Sequence, residues 1–344
     1  MFPVNRSNAL LSILSQTKAL HHAQQVHAKV IVHGFEEQVV LGSSVTNAYI
    51  QSNRLDFAAA SFDRIPSWKR NRYSWNTILS GYSKYKGYDE TLGLYNHMRR
   101  NCDGVDSFNL VFAIKACVGL RLLENGMLIH GLAMKYGLDK DDYVAPSLVE
   151  MYAQFGTMES AQKVFDEIPV RNSVLWGVLM KGYLKFSKDP EVFRLFYHMR
   201  ETGSALDALT LICLVKACGN IFAGKEGRSV HGLSIRRSFI DQSGYLQASI
   251  VDMYVKCRLF DDARKLFETS ADRNVVMWTT LISGFAKCER AAEAFDLTKI
   301  KRWRFEGSMI NRKRKPMMKM RIDERLELYE LVAAAVKAAV MRLR

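Results

Sequence analysis

The chain has 344 residues, 48% of them hydrophobic, with six prolines and 21 glycines; that composition fills a core and excludes a disordered or low-complexity chain. No apolar run reaches about 18 residues, which excludes a conventional membrane-spanning helix. The net charge of +14 points to a polyanionic partner, but residues 297–344 hold 14 Lys/Arg against 5 Asp/Glu, so the tail carries most of the excess.

Residues 1–6 form a short N-terminal segment. The first acidic residue is Glu36, and Arg6, Ser7, Ser12, Ser15 and Lys18 precede it, a bias compatible with a transit peptide. From there the chain repeats itself. "AYIQSNRLDFAAASFDRIP" begins at Ala48, "MYAQFGTMESAQKVFDEIP" at Met151 and "MYVKCRLFDDARKLFETSA" at Met253. "WNTILSGY" opens at Trp75, "WGVLMKGY" at Trp176 and "WTTLISGF" at Trp278, in steps of 101 and 102. "KAC" stands at Lys115 and Lys216, and His27, His130 and His231 are spaced by 103 and 101. The unit of about 101 residues divides into parts of about 35, 35 and 31, and a fixed period of this size marks a repeat architecture.

Each part reads as two helices. Trp75, Ile78, Leu79 and Tyr82 make an i, i+3, i+4, i+7 stripe. Gly87 lies in the turn region, and Leu92, Leu94, Tyr95 and Met98 continue on a second helix. Leu148, Val149, Met151 and Tyr152, then Gly156, then Ala161, Val164 and Phe165 repeat the pattern in a shorter part, and Pro66 and Pro169 stop their units. No stretch shows strand-like alternation. One hairpin cannot bury its apolar faces alone, so the fold class predicted is all-α, an α-solenoid of stacked hairpins. The recurring tryptophans and histidines read as packing residues rather than stacking platforms or metal ligands. "GKEGRS" at Gly224–Ser229 reads as a hairpin turn, not a phosphate loop.

The order "WNTILSGY", "KAC…H", "MY…A…F…P…N" resembles the pentatricopeptide repeat family, and the alternation of 35, 35 and 31 resembles its plant PLS subclass. The resemblance covers residues 7–295, as L 7–38, S 39–71 (with two extra residues), P 72–106, L 107–141, S 142–172, P 173–207, L 208–243, S 244–274 and a partial P 275–295. It implies a right-handed superhelix of about eight to nine repeats. It also implies a single-stranded organellar RNA partner, with each repeat reading one base through its fifth and final residues. Carried over, Asn76 with Asp106 favours uridine, and Ser43 with Asn71 favours adenosine. Gly177 with Asp207 offers no side chain at the first position. Pro146 with Asn172, and Ala248 with Asn274, offer none that hydrogen-bonds. Thr279 favours a purine. The L repeats place apolar Val111 and Ile212 there. Asn71, Asp106, Asn172, Asp207 and Asn274 read equally as helix caps.

Editing members of the subclass end in a deaminase-like domain that needs an H-x-E…C-x-x-C pattern. No histidine here is followed two residues on by Glu, and none of the six cysteines forms a C-x-x-C pair, so buried reduced thiols are expected. No cofactor, no metal and no catalysis are predicted. The chain reads as an RNA-binding adaptor in organellar editing, processing or stability, with editing or processing factors as partners in trans. A protein-binding solenoid of tetratricopeptide type and a non-functional truncated product stand as alternatives. Mitochondrion is the first expected location and plastid the second. The pattern breaks at residue 296, where a basic tail begins. Ile322, Leu326, Tyr329, Val332 and Val336 form a helical stripe within it, which fits a capping helix, a partner-binding helix or a truncation scar.

Overall fold

The computed structural model describes residues 3–297 apart from 17–18, 36, 102–103, 241–243, 271–272, 289, 291 and 295–296. The expected terminal helix at 322–336 and the rest of the tail lie outside the described residues. Among the described residues every regular element is a helix. They fall into two compact units, Met1–Val170 and Arg171–Arg344.

The first unit holds five hairpins: α1 (Pro3–Gln16) with α2 (Leu20–Val32), α3 (Val39–Gln51) with α4 (Leu55–Asp63), α5 (Arg72–Lys84) with α6 (Tyr88–Asn101), α7 (Ser107–Leu120) with α8 (Leu123–Lys135), and α9 (Val144–Phe155) with α10 (Met158–Asp166). The second holds α11 (Ser173–Lys185) with α12 (Asp189–Glu201), α13 (Ala208–Asn220) with α14 (Gly224–Arg236), α15 (Gly244–Lys256) with α16 (Phe260–Thr269), and α17 (Val275–Lys287). The two surplus residues of 39–71 are taken up by a single 3₁₀ turn, Ser67–Lys69. Within each unit, every first helix packs on its own second helix and on the first helix of the next hairpin. The first helices therefore form one continuous face per unit.

Sequence chemistry sets the helix starts. Asn71, Asp106 and Asp207 each accept from the backbone N–H three residues on, and Ser74, Asn109 and Thr210 return the bond to the cap's own N–H. Asn172 and Asn274 cap α11 and α17 through Leu175 and Met277. Each capping box satisfies two otherwise orphaned donors. From the α3–α4 hairpin onward, the turn inside each described hairpin passes through a left-handed residue, Gly156 at φ 89° in one case but Lys86, Arg121 and Phe222 in others.

The landmark tryptophans are core residues. Trp75 is 2% exposed and lies edge-on to Phe62 and His97 at 4.9 and 5.5 Å. Trp176 is fully buried against His198, with its indole N–H donating to Ser204 Oγ at 3.2 Å. The repeated histidines join adjacent hairpins: Nδ1 of His27, His130 and His231 meets the hydroxyl of Tyr49, Tyr152 and Tyr254 at 2.9, 2.9 and 2.8 Å. Among the described residues no cluster of ligating side chains could hold a metal. Burial pushes the Cys117 thiol up to about 11 and those of Cys213 and Cys218 to about 12, which keeps them protonated and inert.

The "GKEGRS" stretch corrects one sequence expectation. It is not a turn but the opening of α14, because the turn closes earlier, with Phe222 at φ 58° and Ala223 N–H on Cys218 O. Its glycines serve close packing. A Cβ on Gly227 would come 2.4 Å from Met253 Sδ, as one on Gly126 would from Met151 Sδ.

Candidate nucleic-acid interface

The candidate residues lie near the start of the first helices, on the face these helices share within each unit. Asp106 has two functions there. Its Oδ1 accepts from Asn109 N–H at 2.9 Å and caps α7. Its Oδ2 accepts from Asn76 Nδ2 at 2.8 Å, across two successive hairpins. A carboxylate offers no donor, so it fixes which way the Asn76 amide points. The amide oxygen of Asn76 is left without a hydrogen-bond partner, at a cost of about 1–3 kcal/mol for a buried acceptor. A donor that reached this oxygen would recover that cost.

The other predicted residues are placed differently. Ser43, Pro146 and Ala248 are buried inside α3, α9 and α15, and Ser43 Oγ finds no partner. Asn71, Asn172, Asp207 and Asn274 cap helices, and Asn274 Nδ2 also donates to Gly244 O at 3.2 Å. Gly177 is buried under the next hairpin, where a Cβ would come 2.7 Å from Leu209 Cδ2. Thr279 turns its hydroxyl back onto Val275 O and Val276 O, both at 2.9 Å. Val111 and Ile212 are half-buried. The structure thus joins one predicted pair, Asn76 with Asp106, by a direct side-chain bond.

Sequence reasoning missed two sets of residues. The first is a set of exposed apolar side chains at the second position of the repeats, Val40, Tyr73, Phe108 and Tyr143 in the first unit and Val174, Tyr245 and Val276 in the second, from 47% exposed at Val276 to 74% at Tyr245. Phe108 and Tyr143, on consecutive hairpins, bring their ring centroids to 5.8 Å. An apolar residue beside a helix cap and off the core stripe was the available signal. The second set is lysines: a cleft of about 570 Å³ over α11, α13 and α15 is lined by Lys181, Lys185, Lys216 and Lys256. Counting charge by face rather than along the chain would have found it. Exposed rings near a polar reader can stack bases, and ammonium groups can neutralise phosphates.

The family model for the PPR repeat matches residues 73–102, 174–204, 249–274 and 276–299. The mitochondrial pentatricopeptide repeat-containing protein At1g06140 of Arabidopsis thaliana is 84% identical over 299 residues, which cover 86% of this chain and 54% of that protein. Its location agrees with the mitochondrial expectation for this chain. A second Arabidopsis thaliana protein of this kind, At4g14170, is 35% identical over 80% of the chain and 58% of its own length. The crystal structure of the pentatricopeptide repeat protein PPR10 in complex with an 18-nt psaJ RNA element covers 97% of this chain and 47% of that one, at a TM-score of 0.67 and 14% identity. The chain thus spans about half the length of the relatives it matches. Its recurring helical hairpins, the matched repeats and the 84% identical relative lead to one conclusion: the chain belongs to the pentatricopeptide repeat family.

Proposed function

We propose that this chain binds single-stranded RNA along the first-helix faces of its hairpins, selects uridine at Asn76–Asp106, and acts as a non-catalytic adaptor in mitochondrial RNA metabolism. The 35, 35 and 31 alternation supports placing it in the PLS arrangement, with editing or processing factors recruited in trans. The observation that carries the base choice is the 2.8 Å bond from Asn76 Nδ2 to Asp106 Oδ2. With one N–H of Nδ2 bonded to Asp106 and the amide's orientation thereby fixed, Asn76 presents its unsatisfied Oδ1 as the acceptor. Uracil carries a donor at N3, whereas cytosine N3 is an acceptor, so the pair accepts the first and repels the second. Tyr73 and Phe108 stand exposed at the starts of α5 and α7, where a base read by Asn76 would stack. Stacking of this kind is worth about 1–3 kcal/mol per base.

The buried fifth residues Ser43, Pro146 and Ala248 leave their repeats as spacers in this reading, which removes the adenosine preference expected for Ser43. The test is a fluorescence titration of single-stranded RNAs that differ only in one U replaced by C, A or G, with duplex RNA as control. The U-containing strand should bind best and the duplex weakly. Equal affinity for all four strands would end the proposal of base selection.

A further inference from the structure

The second unit offers charge where the first offers base-reading groups. Its cleft is lined by Lys181, Lys185, Lys216 and Lys256, and the one lining carboxylate is Asp252. Asp252 pairs with Lys256 at 2.9 Å, and Lys256 also donates to Asn220 Oδ1 at 3.3 Å. Asn220 is itself held by Asp189 at 2.8 Å. That chain of bonds fixes one ammonium at the cleft's edge, and the formal balance of the lining is three positive charges. At the equivalent positions of the first unit the repeat keeps Lys84 for Lys185 but has Ser80 for Lys181 and Gln154 for Lys256. The corresponding cleft there, about 200 Å³, sets Lys115 against Glu150 and is formally neutral.

Base-reading groups are missing from the same stretch of the second unit. Leu209 closes the space above Gly177. Asp207 caps α13 through Oδ1 at 2.8 Å as Asp106 caps α7, but Gly177 gives it no amide to orient where Asn76 stands in the first unit. Ala248 is buried. Val174 and Tyr245 remain exposed at the starts of α11 and α15.

We infer that the second unit grips RNA by its phosphates without selecting bases, while selection resides in the Asn76–Asp106 pair of the first unit. The inference rests on the RNA-binding reading above. Lys181 and Lys185 lie one helical turn apart, about 6 Å along α11. Lys216 follows on the adjoining helix at a packing distance of about 8–10 Å. A polymer that carries both anionic groups and flat rings can give its phosphates to these ammonium groups and a ring to Tyr245, exposed at the start of α15. An acidic polypeptide would satisfy the lysines and leave the exposed Tyr245 ring uncovered.

The experiment compares the full chain with Lys181→Gln/Lys185→Gln/Lys216→Gln and with the matching triple Lys→Arg variant. Each is titrated with U- and C-containing single strands from about 50 to 200 mM salt, with poly-glutamate as competitor. Each ammonium–phosphate pairing removed lowers the slope of log affinity against log salt by about 0.7, so the Gln variant should lose about 2 in slope. Its affinity should fall by the same factor for both strands, leaving the U-to-C ratio unchanged, and the Arg variant should keep the wild-type slope. An unchanged slope in the Gln variant overturns the inference, as does a collapsed U-to-C ratio. Displacement of RNA by poly-glutamate at equal charge would assign the cleft to an acidic protein instead. If the wild type binds no RNA, the RNA-binding reading falls as well, whereas wild-type binding with an unchanged slope refutes this inference alone. Circular dichroism melting of the Gln variant checks that these surface changes leave the fold intact.

Discussion

Replacing Asp106 by Asn separates the two functions of one carboxylate. Asparagine caps a helix about as well as aspartate, so the bond to Asn109 N–H should persist and stability should change by only a few tenths of a kcal/mol. With Oδ1 still capping, the new side chain turns Nδ2, a donor, toward Asn76. Two facing amide NH₂ groups repel, so Asn76 should flip and present Nδ2 outward. The pocket would then ask for an acceptor at base N3, which cytosine has and uracil lacks. A base-edge hydrogen bond made or broken is worth about 1–3 kcal/mol. Taking about 1 kcal/mol in each direction, the U-to-C ratio should swing by roughly 30-fold, since about 1.4 kcal/mol is tenfold. The assay is paired titration of U and C strands with both proteins, beside thermal melts. Asp106→Ala is the contrasting variant, since it should lose about 1 kcal/mol of stability with its cap. If Asp106→Asn keeps both its melting temperature and the wild-type ratio, then Asp106 is a helix cap alone and the geometric argument is wrong.

Trp176→Ala should destabilise by about 3–5 kcal/mol, because the indole is fully buried and loses its bond to Ser204; chemical denaturation measures it. Acidification should destabilise through the histidine–tyrosine bonds. Burial holds His130 and His231 below the ordinary value of 6.5, so their contribution is complete above pH 6.5 and is lost as the pH falls toward the depressed folded values. Melts from about pH 8 to 5 should show that loss, and His130→Phe/His231→Phe should flatten it. The purified chain should convert no cytidine to uridine, with or without added zinc, since it lacks the H-x-E and C-x-x-C patterns; appearance of uridine by mass spectrometry would contradict that. Gly177→Asn should bind no differently on its own, but with Leu209→Ala it should gain a second uridine preference beside Asp207, read by the same titration.

The repeat, the hairpins and the core were legible in the sequence because a stacked hairpin imposes the same burial on the same register position each time. Trp75, Trp176 and Trp278 recur because one cavity recurs, and so do the three histidines, each meeting a tyrosine on the following hairpin. The base-reading positions were less legible because they depend on the neighbouring hairpin. Nothing in Gly177 announces that Leu209 fills the space above it; that follows from the close approach of α11 and α13. Ser43 looks like a reader by type, yet it is fully buried. Asn76 differs from it in lying at the edge of the face with a carboxylate from the next hairpin in reach. A motif rule assigns both residues by position alone, and the physical criterion separates them. A reading residue needs a partner that fixes its donor or acceptor sense and a second polar atom left unsatisfied for the base. Among the described candidates, Asn76 meets both conditions, and selectivity in this chain rests on that one amide.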